Sequence, residues 1–220
     1  MTARVAGPTA ALAGVPFGVQ AQGVWLGRPQ LFVRFAAEAE TATMYTSHAL
    51  AHELDRLTKR APVHSVCCGG RDTLGNAEFL DAVFDEWEPT VPVMVDTDGQ
   101  RPDAVDAVRK HVTFFQVTLD CRESTAAVER AMETLAAAAR AGREHSLALC
   151  PGDDASDVQI LRIVEQAHAA SAGTMIVVHP LPGPDLRMLD RRWAALMEGA
   201  MALHRDVRLA LRLPPPVGMR

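Results

Sequence analysis

The chain has 220 residues, of which 48% are hydrophobic, and a formal net charge of −5 at pH 7. This length and apolar content predict one globular domain with a sizeable core. The net negative charge and the absence of a basic run argue against nucleic acid as a partner. No apolar run approaches the ~20 residues needed to cross a bilayer, so no membrane association is expected. Four cysteines without a clear secretory signal predict reduced thiols in the cytoplasm.

Residues 1–16 are small and mostly apolar, with a single positive charge at Arg4. They lack the clear apolar core of a signal peptide, so the sequence predicts a disordered leader. The remaining residues, 17–220, are expected to form a single domain because no linker or internal repeat divides them.

Short apolar strands and amphipathic helices alternate along this domain. Ser47 is the expected N-cap of the first helix, and Gly142 is the expected residue just beyond the end of the fourth. In chain order, the patterns predict strand Leu31–Phe35, helix His48–Arg60, strand Val63–Cys68, helix Asn76–Trp87, strand Val91–Val95, helix Pro102–Lys110, strand Thr113–Leu119, helix Ser124–Ala141, strand His145–Cys150, helix Ala155–Ala170, strand Thr174–Val178, helix Pro184–His204 and strand Val207–Leu211.

The order of these elements predicts the fold class. Strands without polar–apolar alternation, each followed by a helix, are typical of an α/β fold whose parallel sheet is covered by helices. Six to seven such units are too few for an eight-stranded barrel. We therefore expect an open or partial (βα)6 barrel with parallel strands.

Polar side chains follow most of these strands. Because the C-terminal ends of parallel strands share one edge, these residues could converge there. The set comprises Cys68, Asp96, Asp98, Asp120, Cys121, Cys150, Asp153, Asp154 and His179. Thiol, carboxylate and imidazole ligands suit zinc, with Cys68, Cys121, Cys150 and His179 as candidates. The favoured alternative is that these residues point in different directions and bind no metal, because side chains alternate along a strand.

Two histidines, His48 and His52, lie four residues apart on one face of the first helix. An H-x-x-x-H spacing without the correctly placed glutamate of the zinc-protease motif is a weak metal signal. We therefore expect solvated or half-buried helix residues at these positions.

The segment from Val19 to Ser47 carries a recognisable frame. Its landmarks are Gln20, Gly23, Gly27, Pro29, Phe32, Val33 and Arg34. This frame resembles the opening of 7-carboxy-7-deazaguanine synthases, which are radical S-adenosylmethionine enzymes of the 7-deazapurine pathway. The resemblance covers roughly Phe17–Arg220 and implies a radical S-adenosylmethionine-like partial barrel. On this register the three cluster cysteines of the family fall on or near Glu38, Ala42 and Tyr45, and the glutamate of the opening motif becomes Gln22.

Later landmarks of the family also have counterparts. After the second predicted strand, Gly69, Gly70 and Arg71 stand where the family has T-G-G-E-P, whose glutamate binds the amino group of S-adenosylmethionine. Arg71 in place of that carboxylate would repel the cationic amino group. The ligand-cleft positions that the resemblance implies are Gln22, Arg34, Ser47, Gly69, Gly70, Arg71, Asp96, Asp98, Asp120, Arg122 and His179.

The missing cysteines decide the leading hypothesis. A [4Fe–4S] cluster of this enzyme class needs three thiolates on one loop, and without them no radical can be generated. The sequence therefore predicts a catalytically degenerate relative, without a cofactor, that binds a small purine-like or pterin-like ligand or an active paralogue. The resemblance also implies a homodimer.

Two alternatives remain open at this stage. One is an active synthase that converts 6-carboxy-tetrahydropterin with S-adenosylmethionine, a [4Fe–4S] cluster and Mg²⁺. The other is a non-radical enzyme with a metal at the strand-end rim.

Overall fold

The computed structural model describes residues 7–152, 154–180 and 191–213. Within them lie ten strands, six helices and 3₁₀ turns at Thr73–Asn76 and Pro102–Ala104. The strands are β1 (Thr9–Gly14), β2 (Phe17–Val19), β3 (Pro29–Phe35), β4 (Thr43–Thr46), β5 (Ser65–Gly70), β6 (Val93–Thr97), β7 (Phe114–Asp120), β8 (Glu144–Cys150), β9 (Met175–Val178) and β10 (Val207–Leu209). The helices are α1 (Ser47–Arg60), α2 (Ala77–Trp87), α3 (Val105–Val108), α4 (Thr125–Arg140), α5 (Asp157–Ala170) and α6 (Arg191–Leu203).

The predicted α/β class is confirmed. Seven strands run parallel in the order β10-β9-β8-β7-β6-β5-β3, so each strand neighbours the next parallel strand of the chain. Apolar strand runs, each followed by a helix, favour this arrangement because crossover helices cover a parallel sheet. Among the described residues the sheet stays open, with β4 and β10 at its edges, so a barrel is not confirmed.

The predicted leader is wrong for part of its length. Residues Thr9–Gly14 form β1, which pairs antiparallel with β3 and continues the sheet beyond it. Its alternating burial, with Ala10 and Leu12 inside, anchors it to the core. Alanine and glycine have little intrinsic preference for strands, so composition conceals this element. Residues 1–6 lie outside the described part of the chain.

The loop expected after the first predicted strand also differs from the prediction. Its second half forms β4, which pairs antiparallel with β1 over four residue pairs from Thr9↔Thr46 to Leu12↔Thr43. Helix α1 then begins immediately. Its N-cap is Thr46 rather than the predicted Ser47, because Thr46 has an extended backbone and its hydroxyl accepts from the Ala49 N–H at 3.1 Å.

The described helices pack against one face of the sheet. Two helix-facing hydrophobic clusters cover that face, one centred on β3, β5 and β6 and the other on β7, β8 and β9. We call the opposite face the inner face. Its smaller apolar cluster contains no helix residue and consists of Cys67, Met94 and Phe114 with Val24, Trp25, Phe32 and Met175.

Two remaining predictions concern where helices begin or end. Gly142 follows α4 with φ +67°, which confirms its expected position beyond the helix end. The last predicted helix, Pro184–His204, is observed as α6 from Arg191 onward, and its first seven residues lie outside the described part.

None of the described helices is long and apolar enough to cross a membrane.

Candidate functional site

Register places a row of polar residues on the inner face. Asp96 of β6 lies beside Gln116 of β7, which lies beside Ser146 of β8. Thr118 and Asp120 follow Gln116 on the same face because side chains two apart along a strand point the same way. This row crosses three neighbouring strands from the middle of β7 and β8 and extends through Thr118 and Asp120 to the C-terminal end of the sheet, where parallel α/β folds build their sites.

The loop between β2 and β3 lies over this face. It is closed by paired backbone hydrogen bonds between Gln20 and Arg28 and between Gly27 and Gln20, both at 2.9 Å. Trp25 stacks on Phe114 with ring centroids 4.8 Å apart, which fixes the loop against the sheet. The C-terminal segment holds its other side, since the Leu213 N–H donates to the Ala21 carbonyl at 3.0 Å.

Gln22 is held by the polar row beneath the loop. Its amide nitrogen donates to the Thr118 hydroxyl at 2.9 Å and to Asp96 at 3.4 Å. The Thr118 hydroxyl in turn donates to the other Asp96 carboxylate oxygen at 2.7 Å. Gln22 and Asp96, two positions predicted from the resemblance, are therefore in direct contact.

The electrostatics of Asp96 reflect its burial by protein atoms. Desolvation raises the pKa of this carboxyl, while hydrogen bonds from Thr118 and Gln22, the nearby Gln116 amide and the charge of Arg212 act in the opposite direction. The raised pKa means that burial outweighs these contacts. Gln116 lies close enough to favour the carboxylate, although its amide atoms meet no partner with hydrogen-bond geometry.

His179 joins the loop to the end of the sheet. Its Nε2 accepts from the Gly23 N–H at 2.7 Å, so that nitrogen carries no proton. Its Nδ1 therefore carries the proton and donates to the Ala210 carbonyl at 2.8 Å. Burial lowers the pKa of His179 and the charge of Arg212 adds to this, against the opposing Ala210 hydrogen bond. Both ring nitrogens are engaged, so His179 does not fit the predicted role of metal ligand.

Several buried polar atoms at this place have no partner among the described residues. They are Gln22 Oε1, both amide atoms of Gln116 and the Ser146 hydroxyl. Gln116 and Ser146 are paired neighbours on adjacent strands, and Gln22 donates a hydrogen bond to Thr118, two residues beyond Gln116 in β7. Leaving such a group buried and unpaired costs about 1–3 kcal/mol, so this cluster calls for partners such as water or a small polar ligand.

The other predicted cleft positions lie at the rim or away from it. Gly69 adjoins the polar row, since an added Cβ would lie 3.5 Å from the Asp96 Cβ. Asp120 is paired with Arg122, whose guanidinium and N–H lower the pKa of that carboxyl. Asp98 is exposed and accepts from the Gln100 N–H.

On the β3 side, the rim residues are engaged with one another. Arg34 donates to Glu40 at 3.1 Å, and Arg71 donates to Glu38 at 3.3 Å. Gly70, with φ +110°, turns tightly against the Phe35 backbone. Ser47 is not part of the cleft, because it is buried at the far edge of the sheet, where its N–H donates to the Pro8 carbonyl.

The four thiols divide between the two faces of the sheet. Cys68 and Cys121 belong to the helix-facing clusters, whereas Cys67 lies on the inner face and Cys150 shares a register position with Asp120. Burial raises the pKa of both Cys68 and Cys121 to about 12, which opposes the thiolate that a metal needs. With two of its thiols on the helix-facing side, the candidate zinc set of Cys68, Cys121, Cys150 and His179 does not converge on one site. Asp153 lies outside the described residues.

The expected cluster positions do not form a thiolate-like pocket. Glu38 and Ala42 are exposed in the segment after β3, and Glu38 is paired with Arg71. Tyr45 lies in β4 and packs against the helix-facing core, away from the inner face. A carboxylate, a methyl group and a phenol that point to different surroundings do not fit a [4Fe–4S] cluster.

Sequence reasoning missed Gln116, Thr118 and Ser146. The signal was present in β7, where Gln116, Thr118 and Asp120 occupy every second position of an otherwise apolar strand. Such alternation marks a strand with one polar face.

Comparison with known proteins identifies the fold. No family model and no curated protein matches the chain. Among solved structures, QueE from Escherichia coli, a 7-carboxy-7-deazaguanine synthase, superposes with a TM-score of 0.59 at 14% identity, over 94% of this chain and 95% of that chain. A 3-keto-D-glucoside 4-epimerase from the same organism gives a TM-score of 0.36 at 14% identity, over 76% and 88% of the two chains. The likeness to QueE confirms the fold relationship that the sequence resemblance implies.

Proposed function

We propose that this chain is a non-catalytic protein with a QueE-like fold that binds a small purine-like or pterin-like molecule on its inner face. The cluster of unpartnered polar atoms at Gln22, Gln116 and Ser146 carries the proposal. A flat heterocycle with alternating N–H and C=O groups offers partners to both ends of an amide and to a hydroxyl. The proposal also includes a homodimer, as the resemblance implies, and a cytoplasmic location, as the cysteines without a secretory signal indicate.

The unpaired atoms include both hydrogen-bond donors and hydrogen-bond acceptors, so they favour a ligand that carries both kinds of group. Gln116 has a donor and an acceptor to satisfy, Gln22 an acceptor, and Ser146 a hydroxyl that serves as either. Asp96 lies beside them with a raised pKa, so it is able to accept from a ring N–H as a carboxylate or donate as an acid. Ligand hydrogen bonds would offset the cost of burying these groups.

The proposal excludes catalysis because the residues at these positions do not supply the ligands that an iron–sulfur cluster, S-adenosylmethionine or a rim metal would need. Radical chemistry needs three cluster thiolates, and the matching positions carry Glu38, Ala42 and Tyr45. Arg71 replaces the carboxylate that binds the amino group of S-adenosylmethionine in the family, and it is paired with Glu38. A rim metal enzyme is disfavoured because His179 uses both ring nitrogens within the protein.

The proposal is tested by ligand-induced thermal stabilisation with guanosine, pterin and S-adenosylmethionine as probes. A heterocycle that binds the native state raises the unfolding midpoint, and Gln116→Leu removes that shift. Because Gln116→Leu also removes two unpaired buried atoms, the unliganded variant gains about 1–3 kcal/mol of unfolding free energy. Gln30→Leu is the matched control, since Gln30 lies on the same face at the opposite strand end, and it retains the ligand shift.

Two results would contradict the proposal. One is the absence of a midpoint shift with every probe, together with a Gln116→Leu variant that is less stable than wild type. The other is a stable brown chromophore with stoichiometric iron after anaerobic reconstitution, which would restore the active-synthase alternative.

A further inference from the structure

Helices α1 and α2 bring three metal-ligating side chains together on the outer surface of the protein. His48 and His52 lie one turn apart on α1, with ring centroids 4.6 Å apart in an edge-on arrangement. The two helices pack against each other, and Glu86 of α2 reaches across to form a hydrogen bond with His48 Nδ1. The sequence spacing alone could not reveal Glu86, because it lies 38 residues further along the chain.

The geometry of this trio suits one small cation. One ligand atom from each of His48, His52 and Glu86 lies within 4.8 Å of the other two. Tetrahedral zinc with bonds of about 2.1 Å holds its ligand atoms about 3.4 Å apart, so forming the site takes side-chain movements of at most about 1.4 Å. All three residues are exposed, which leaves them free to rotate and leaves a route for the ion and a water ligand.

We propose that His48, His52 and Glu86 bind a divalent transition-metal ion of the zinc class, with water in the fourth position. Two imidazole nitrogens and one carboxylate oxygen are ligands that zinc accepts in tetrahedral geometry. The site joins α1 to α2, so the bound ion links the two helices that cover β3 and β5. It stands independently of the ligand proposed for the inner face.

A second trio among the described residues is a weaker candidate. Asp81, Asp85 and His111 are also within reach of one another. However, Lys110 already places its ammonium 2.7 Å from Asp85, and its charge opposes a dication. His111 also packs against Phe84 with a side chain only 11% exposed, so it is less free to turn towards an ion. This trio serves as an internal control.

The test is zinc titration of the full, tag-free chain by calorimetry, with cobalt substitution to report coordination. Wild type binds one zinc ion, the unfolding midpoint rises and a chelator reverses the rise. The bound cobalt gives the intense visible bands of four-coordination. His48→Ala, His52→Ala and Glu86→Gln each weaken zinc binding at least tenfold, whereas Asp81→Asn leaves it unchanged. All four positions lie on helix surfaces, so the variants are expected to remain folded.

Three outcomes overturn the inference. Zinc binding that is equal in wild type and in the His52→Ala and Glu86→Gln variants would show an adventitious ion only. Loss of binding in Asp81→Asn alone would move the site to the second trio. An octahedral cobalt spectrum would contradict the ligand set.

Discussion

Replacing Gly23 by alanine tests the packing of the β2–β3 loop on the inner face. Gly23 has φ +76°, and a Cβ built on it would lie 1.6 Å from Gln116 Oε1. Its N–H also donates to His179, so the backbone is held at that place. Gly27 in the same loop is a matched control, because it has φ +82° but no atom within 4 Å of a built Cβ.

The two substitutions separate two costs. At Gly27, alanine bears only the left-handed backbone penalty, about 1–2 kcal/mol of unfolding free energy. At Gly23 the same penalty applies, and the buried Gln116 side chain must also move, which adds about 1–3 kcal/mol as in other overpacked sites. Gly23→Ala is therefore expected to cost about 2 kcal/mol more than Gly27→Ala.

Urea unfolding followed by circular dichroism measures both costs. In a Gly23→Ala, Gln116→Ala double variant the obstructing amide is gone, so the coupling free energy is expected to be about 2 kcal/mol in the stabilising direction. Equal costs at Gly23 and Gly27, or strict additivity in the double variant, would refute the close contact between the loop and the polar row.

Three further predictions concern stability. Because the pKa of Asp96 is raised in the folded state, the stability that its proton contributes is present below its ordinary pKa and is lost as pH rises. Asp96→Asn therefore gains stability relative to wild type as pH rises above about 4, and a difference that does not change with pH would be evidence against the burial argument. Burial raises the pKa of Cys68 to about 12, so its bound proton stabilises the folded state until alkaline pH. Between about pH 8.5 and 10.5, wild type is therefore expected to lose about 2 kcal/mol more unfolding free energy than Cys68→Ala, as measured by denaturant titration. Equal losses in the two proteins would contradict this. Thr46→Ala removes the N-cap of α1 and costs about 1 kcal/mol in the same assay, whereas the exposed control Thr43→Ala costs less; equal effects would reject the cap.

The parallel core of the fold was predictable from sequence because its strands are continuous apolar runs. Val93–Thr97 and Phe114–Asp120 fall where the pattern places strands, since both faces of these strands are largely covered. The antiparallel extension was not, because Thr9–Gly14 is rich in alanine and glycine and its pairing with β3 depends on contacts distant in sequence.

The candidate site was predictable only where landmarks of the resemblance marked it. Gln22, Asp96 and His179 were found in this way, and they do meet the inner face. Gln116 and Ser146 were not predicted, because they lie inside strands that are mostly apolar in sequence. Both side chains are fully buried. Which polar residues converge depends on strand register, and register is a tertiary property. The thiols show the same limit, since Cys67 and Cys68 are adjacent in sequence and face opposite sides.

Strand β4 constrains the backbone of the segment that the sequence resemblance aligns with the cluster loop of 7-carboxy-7-deazaguanine synthases. Residues 43–46 are committed to a four-pair ladder with β1, and Tyr45 is turned towards the helices. Cysteines introduced at positions 38, 42 and 45 would therefore place one thiol on the wrong side of the sheet. Holding a cluster at these three positions would require residues 43–46 to leave their ladder with β1, so cysteine substitutions alone would not build that site.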